Sequence, residues 1–272
     1  MGKKTITAQG YPAVKVICFD EITLHKGHGK YLLVISAPEF GLVLDVLEDR
    51  SKERLLAWLE ARGKAWCEGV EVACSDMWDA YQEAAVEKLP NARRVIDRFH
   101  VMKNLTDAIT KARRIIQRDA NAETKELLKG CRWLLVKNRE NLKEDEERKL
   151  TQMLTASPEL ATCYRLKEDF RALFNQSIPK EEAKTQLEQW VTQVEATPFK
   201  ALQKFVGTLR NWWNQILNYF VDRVNNGFAE GVNLKIKMLN RRGFGYRNFK
   251  SFRLHVLVAF VPAYHHRKDE RR

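Results

Sequence analysis

Ala13-Val14-Lys15-Val16-Ile17-Cys18-Phe19-Asp20 is an apolar, β-branched run that closes on a carboxylate. It reads as a central strand with its polar residue at the rim of a sheet. Lys30-Tyr31-Leu32-Leu33-Val34-Ile35 follows a Gly- and His-rich turn, and Gly41-Leu42-Val43-Leu44-Asp45-Val46-Leu47 follows a turn containing Pro38. Three strands joined by short turns make an antiparallel meander. Ser51 then caps a helix whose apolar face is Leu55, Leu56 and Leu59, until Gly63 disturbs the pattern. Glu71-Val72-Ala73-Cys74-Ser75-Asp76 is a fourth strand, again closing on an aspartate. Met77 to Leu89 is a helix stopped by Pro90, and Arg94-Val95-Ile96-Asp97-Arg98-Phe99-His100-Val101 a fifth strand.

Three strands, a helix, a strand, a helix and a strand are the element order of a ribonuclease-H-like α/β fold, a mixed sheet with flanking helices in which the first and fourth strands lie side by side. That adjacency would bring Asp20 and Asp76 to the same end of neighbouring strands, close enough to share a divalent cation through oxygen ligands. Taken singly, each aspartate is an ordinary strand-end residue; the matching positions make the pair a candidate site. Glu21 alternates to the other face of its strand and is read as structural. From Asn104 to about Asp222 strands give way to five or six amphipathic helices. Their starts are read at Asn141 with Glu144, Ser157-Pro158-Glu159, Pro179 and Thr197-Pro198. Trp190, Trp212, Trp213, Tyr219 and Phe220 fall within apolar periodic segments and are expected to form a helical core. The expected division is therefore a first core segment 1–103, an all-helical insertion 104–222 and a closing segment 223–272.

Within the closing segment Asn225-Asn226-Gly227 breaks regular structure, and Val232, Ile236 and Leu239 then recur at helical spacing. A helix beginning near Phe228 buries those three and gathers Glu230, Asn233, Lys237 and Arg241 on the opposite face. One carboxylate thus leads a stripe of cations. The chain has a formal net charge of +12, and beyond Glu230 its only acids are Asp269 and Glu270. So one-sided a tail points to a nucleic-acid partner. No apolar run approaches a membrane span, and Met1-Gly2-Lys3-Lys4 lacks the apolar segment of a signal peptide, so a cytoplasmic, nucleoid-associated protein is expected. Five cysteines without a C-x-x-C pair fit reduced buried thiols better than a disulfide framework or zinc site.

Phe19-Asp20-Glu21-Ile22 with Lys26-Gly27-His28, Ser75-Asp76-Met77 with Tyr81, and Asp97-Arg98-Phe99-His100-Val101 form one set of blocks. Ala229-Glu230-Gly231, Arg241-Arg242-Gly243-Phe244-Gly245-Tyr246-Arg247-Asn248-Phe249 and Phe252-Arg253-Leu254 form another. Together, in this order over nearly the whole chain, they resemble the DDE transposase domain of bacterial insertion sequences of the ISL-three family. The resemblance implies a ribonuclease-H-like fold with a helical insertion before the last acid, and a catalytic triad on Asp20, Asp76 and Glu230. It implies two Mg²⁺ or Mn²⁺ ions on those carboxylates, and cleavage and joining of double-stranded DNA by a homo-oligomer on the element ends. Lys26, His28, Lys237, Arg241, Arg242 and Arg247 are the expected DNA contacts, neutralising phosphates with little sequence information. Asp97 is read as pairing with Arg98 or with loop backbone, or as supporting the site from behind. His28 and His100 are open between phosphate contact or proton carriage and a structural hydrogen bond.

Full-length members of that family carry an upstream zinc-binding, helix-turn-helix portion that recognises the terminal repeats. Here a short segment without a zinc ligand set precedes the first strand, so an isolated or truncated catalytic domain is expected. Two other readings stay open at this stage: a truncated, non-catalytic DNA-binding regulator of transposition, and a nuclease that cuts without joining.

Overall fold

The computed structural model describes residues 12–24, 31–224, 227–246 and 248–260; the side chains of residues 227, 229 and 230 lie outside this description. The chain divides into two compact units, Met1–Asp97 with Asp222–Arg272, and Arg98–Val221.

The first unit holds one five-stranded sheet, β1 (Val16–Thr23), β2 (Tyr31–Ala37), β3 (Leu42–Leu47), β4 (Val72–Ser75) and β5 (Arg93–Ile96). The strand order is β3-β2-β1-β4-β5. The β1–β2 and β2–β3 pairs are antiparallel, and β1–β4 and β4–β5 are parallel. The expected neighbouring of first and fourth strands is therefore present. Two elements differ from the sequence reading. Asp20 lies inside β1, which runs on to Thr23 because Ile22 is apolar and Asp20 to Thr23 still pair with β2. The fifth strand stops at Ile96, and Arg98 to Val101 already belong to the helix α4 (Arg98–Asp119), so the helical unit starts at Arg98 and not at Asn104. The i, i+4 spacing of Val101, Leu105 and Ile109, all buried, is the helical signal that a strand assignment overlooks.

Period-two alternation divides the apolar residues between the two faces of this sheet. On one face Ile17, Phe19, Leu33 and Ile35 pack with Leu55, Trp58 and Leu59 of α1 (Lys52–Glu60) and with Tyr81, Ala84 and Ala85 of α3 (Asp79–Lys88), with the short α2 (Lys64–Glu68) contributing Cys67. On the other face Ile22, Leu32, Val34 and Val46 pack with Val232 and Ile236 of α12 (Gly227–Arg242) and with Phe252, Val256 and Leu257 of α13 (Phe249–Ala259). Val232 and Ile236 are buried and Leu239 partly so, as their helical spacing predicts.

Buried Asp45 on β3 links the two helical layers. Its carboxylate accepts from Trp58 Nε1 of α1 at 2.8 Å and from Arg253 Nη2 of α13 at 2.7 Å. Where the chain returns to this unit, Arg93 of β5 holds Asp222 through two bonds of 2.7 Å.

The second unit is all-helical among its described residues: α4, α5 (Ala122–Leu127), α6 (Arg132–Val136), α7 (Glu144–Ala156), α8 (Pro158–Asn175), α9 (Lys180–Glu195), α10 (Lys200–Asn211) and α11 (Trp213–Asp222). Ser157 caps α8 with Pro158 in its first turn, as read from sequence. The start near Asn141 is displaced to Lys143, whose N–H is accepted by Glu146, and that at Thr197-Pro198 to Phe199. Phe170 lies within 4.7 Å of Trp190, 4.9 Å of Phe174 and 5.7 Å of Phe205, ring centroid to centroid. Trp190, Tyr219 and Phe220 are buried in this core, while Trp212 and Trp213 are half-buried. Lys167 is buried as well. Its ammonium donates to the carbonyls of Leu135 and Lys137 at 2.8 and 3.1 Å, closing the C-terminal end of α6, and desolvation pulls its pKa down.

All five cysteines are free and buried. Replacing Asp45 by Ala strands the Arg253 guanidinium and the Trp58 N–H, and should cost about 3 kcal/mol of stability in a denaturant titration. A loss below about 0.5 kcal/mol would show that Asp45 does not link these layers.

Candidate active site

The pairing of β1 with β4 runs Val16 with Val72, Ile17 with Ala73 and Cys18 with Cys74. Two residues beyond Cys18 stands Asp20, and two beyond Cys74 stands Asp76. A step of two preserves the face, and the register continued past its last pair would set both aspartates level on the face that carries Ile22 and α12. Between β4 and β5, Cys74 pairs with Val95 and Ser75 with Ile96. The next step brings Asp97 beside Asp76, and the Asp97 N–H donates to the Ser75 carbonyl at 2.8 Å. The same continued register would align three carboxylate positions at the ends of neighbouring strands. Their field is felt behind them. A hydrogen bond with Cys18 and burial, reinforced by Asp97 and Asp20, push the Cys74 thiol far above its ordinary range.

Asp20 is buried at 8% exposure. One carboxylate oxygen accepts the Glu21 N–H at 2.8 Å, and the other accepts Nδ2 of Asn233 on α12 at 2.7 Å. The Asn233 Oδ1 is buried and has no hydrogen-bond partner, an acceptor oxygen left over beside a carboxylate. Glu230 precedes Asn233 by three residues in the same helix, which puts its backbone position one turn away on the same face. The bond from Asn233 thus ties the helix that carries Glu230 to the strand that carries Asp20. The Glu230 side chain itself lies outside the described residues, as do Lys26, His28 and Arg247.

Asp76 follows β4 in a loop braced from α3: Gln82 Nε2 donates to Ser75 Oγ at 2.9 Å, and Ser75 Oγ donates to the Asp76 carbonyl at 2.9 Å. Ser75 and Gln82 are both buried. Glu21 points to the opposite face, where it accepts from Arg50 at 2.6 Å and from Tyr81 at 3.3 Å, so its structural reading holds. Arg98, expected to pair with Asp97, donates instead to the Phe174 carbonyl and Asn175 Oδ1 inside the helical unit. His100 stacks edge-on against Phe99 at 5.3 Å. Lys237, Arg241 and Arg242 are exposed along α12.

Among the described residues no three His, Cys, Asp or Glu side chains form a ready metal-ligand cluster. Nor is any described helix long and apolar enough to cross a membrane. The residue that sequence reasoning passed over is Asn233. It was placed on the Glu230 face, and its spacing of three from that acid was the available signal.

The unit thus holds a five-stranded mixed sheet with one acid within its first strand, another just past the end of its fourth, and a further acid on a covering helix. The profile of the DDE transposases of ISL-three insertion sequences matches residues 17–256, and the chain belongs to that transposase family. The transposase for insertion sequence element IS1001 of Bordetella parapertussis is 28% identical over 261 residues, covering 95% of this chain and 64% of the relative. The transposase for element IS1557 of Mycobacterium tuberculosis is 27% identical over 255 residues, covering 85% of this chain and 57% of the relative. The chain spans about three-fifths of the length of these relatives. No solved structure matches it.

Substituting Met for Gln82 removes the donor that fixes Ser75 and should lower stability by about 1 kcal/mol. Amide hydrogen exchange over residues 75–78 should quicken severalfold, and unchanged exchange there would show that the brace does not hold the Asp76 loop.

Proposed function

We propose that the chain is the catalytic part of an insertion-sequence transposase, built on a ribonuclease-H-like core, that cuts and joins double-stranded DNA with Asp20, Asp76 and Glu230. The observation that carries this reading is the Asn233–Asp20 hydrogen bond of 2.7 Å, which fastens the helix of the third acid to the strand of the first. The level register of Asp20 and Asp76 supports the same site from the sheet side. The extent of the core, the helical unit and the closing segment follows this reading, with the insertion taken as Arg98–Val221.

An all-oxygen donor set suits a hard divalent cation. The leftover Asn233 Oδ1 beside Asp20 fits such an ion, because an ion of this kind keeps bound waters whose hydrogens need acceptors. Asp20, Asp76 and Glu230 would hold two Mg²⁺ or Mn²⁺ ions. Bound there, the ions supply Lewis-acid polarisation of phosphoryl oxygens and lower the pKa of water. The chain's own groups do the rest. Asn233 keeps the Asp20 carboxylate turned toward α12, the Gln82–Ser75 brace holds the Asp76 loop, and the buried setting of Asp20 limits competing hydration. Phosphoryl displacement asks chiefly for positioning and charge stabilisation, which these fixed groups provide.

Lys237, Arg241 and Arg242, with Lys26, His28 and Arg247, would neutralise backbone phosphates, giving affinity that falls with salt. Assembly as a homo-oligomer on paired element ends belongs to the same reading. The test is a duplex oligonucleotide incubated with the chain and Mn²⁺ or Mg²⁺. Asp76→Asn, Asp20→Asn and Glu230→Gln should each lower cleavage and joining by at least a thousandfold, while duplex affinity stays within about threefold; an Asp76→Asn protein that cuts normally would sink the assignment. Asn233→Ala should weaken Mn²⁺ binding by about ten- to a hundredfold, as outer-shell partners do. Titration of free Mn²⁺ by electron paramagnetic resonance reads this without any turnover, and undiminished binding would remove Asn233 from the site.

A further inference from the structure

The catalytic-face helix α12 ends at Arg242 in a turn that presents one residue to solvent almost completely. Phe244 is 99% exposed, the highest value among the exposed large apolar side chains. Its backbone is left-handed at φ 50°, a conformation that costs a residue with a Cβ, and Gly245 follows at φ 78°. Neither packing nor backbone preference accounts for a phenylalanine there.

The turn that carries it is firmly built. Gly243 N–H donates to the Leu239 carbonyl at 3.0 Å, Phe244 N–H to Arg241 at 3.1 Å and Gly245 N–H to Asn240 at 2.9 Å. Tyr246 folds back over Gly243 so closely that a Cβ at 243 would lie 2.6 Å from the Tyr246 ring. That ring is anchored in turn at 5.3 Å from Phe252 and 5.1 Å from His255 of α13. The inward aromatic locks the turn, and the outward one is held away from the protein. Exposed Arg241 and Arg242 precede it by three and two residues, with exposed Lys237 one turn earlier. An exposed apolar ring close along the chain to exposed cations suits a ligand that combines negative charge with flat aromatic surface. Arg242, the last residue of this helix, lies twelve residues and so about 18 Å along it from the proposed third acid, and the ring follows in the turn just beyond.

We infer that Phe244 is a DNA-stacking residue, which inserts at an opened base step and packs against an unpaired base while Arg241 and Arg242 hold the adjoining phosphates. This rests on the DNA reading above and extends it to a residue with no part in the chemistry. Stacking on an aromatic side chain is tolerant of base identity, so the preference is for an unpaired base and not for a sequence.

The probe is a duplex carrying one extrahelical 2-aminopurine, compared with the same duplex fully paired, and bound by the full chain without divalent cation. The wild type should bind the bulged duplex about tenfold more tightly and quench the 2-aminopurine fluorescence. Phe244→Ala should lose both the preference and the quenching, yet keep its affinity for the paired duplex within about twofold. Phe244→Trp should retain both. Because the ring is fully exposed, Phe244→Ala should not lower the melting temperature, and Phe244→Gly should raise it by relieving the left-handed backbone. Preference and quenching unchanged in Phe244→Ala would overturn the inference. So would a smaller species in sedimentation of DNA-free Phe244→Ala with the bulge preference intact, which would make this a protein contact. A wild type that binds neither duplex would overturn the DNA reading itself.

Discussion

One hydrogen bond joins residues 213 positions apart: the Asn233 amide donates to the Asp20 carboxylate at 2.7 Å. It closes over an intervening unit of helices that lies between the two in sequence. Ordering so long an excursion carries a loop-closure cost that grows only slowly with length, so a well-packed return segment can offset it. The offset here is apolar. Val232, Ile236, Phe252, Val256 and Leu257 bury themselves against the Ile22, Leu32, Val34 and Val46 face of the sheet, and the polar bond sets the register of that docking.

Two buried carboxylates in the same unit show how environment separates structure from chemistry. Asp45 receives the guanidinium of Arg253 and the indole N–H of Trp58, so its charge is met by a cation and its lone pairs by donors from two layers. It is a tie between helices. Asp20 accepts the N–H of Glu21 and the side-chain amide of Asn233, which hold its carboxylate toward α12. In the proposed reading this carboxylate, with Asp76 and Glu230, would hold a divalent cation through oxygen.

The helical unit settles its own accounts through Phe170, Trp190 and Phe205 and through the buried ammonium of Lys167, which takes the place of solvent at the end of α6. The branch at Arg98 is abrupt: β5 ends at Ile96 and α4 begins two residues later. The return is equally short, with Asp222 clasped by Arg93.

Local sequence determined the strands, because runs such as Val16 to Phe19 and Val72 to Ser75 have no other way to bury both faces. It determined the apolar stripe of α12 by the spacing of Val232, Ile236 and Leu239, and the placing of Glu21 on the face opposite Asp20 by alternation. It also carried the family, through blocks long enough to be specific. What it could not fix was where the chain changes from strand to helix after Ile96, since the five residues from Asp97 to Val101 are too few for a period to show, and packing of Val101, Leu105 and Ile109 decided for helix. Nor could it give Asn233 a partner. A hydrogen bond needs atoms within about 3 Å, and only the crossing of α12 over β1 brings that amide to that carboxylate.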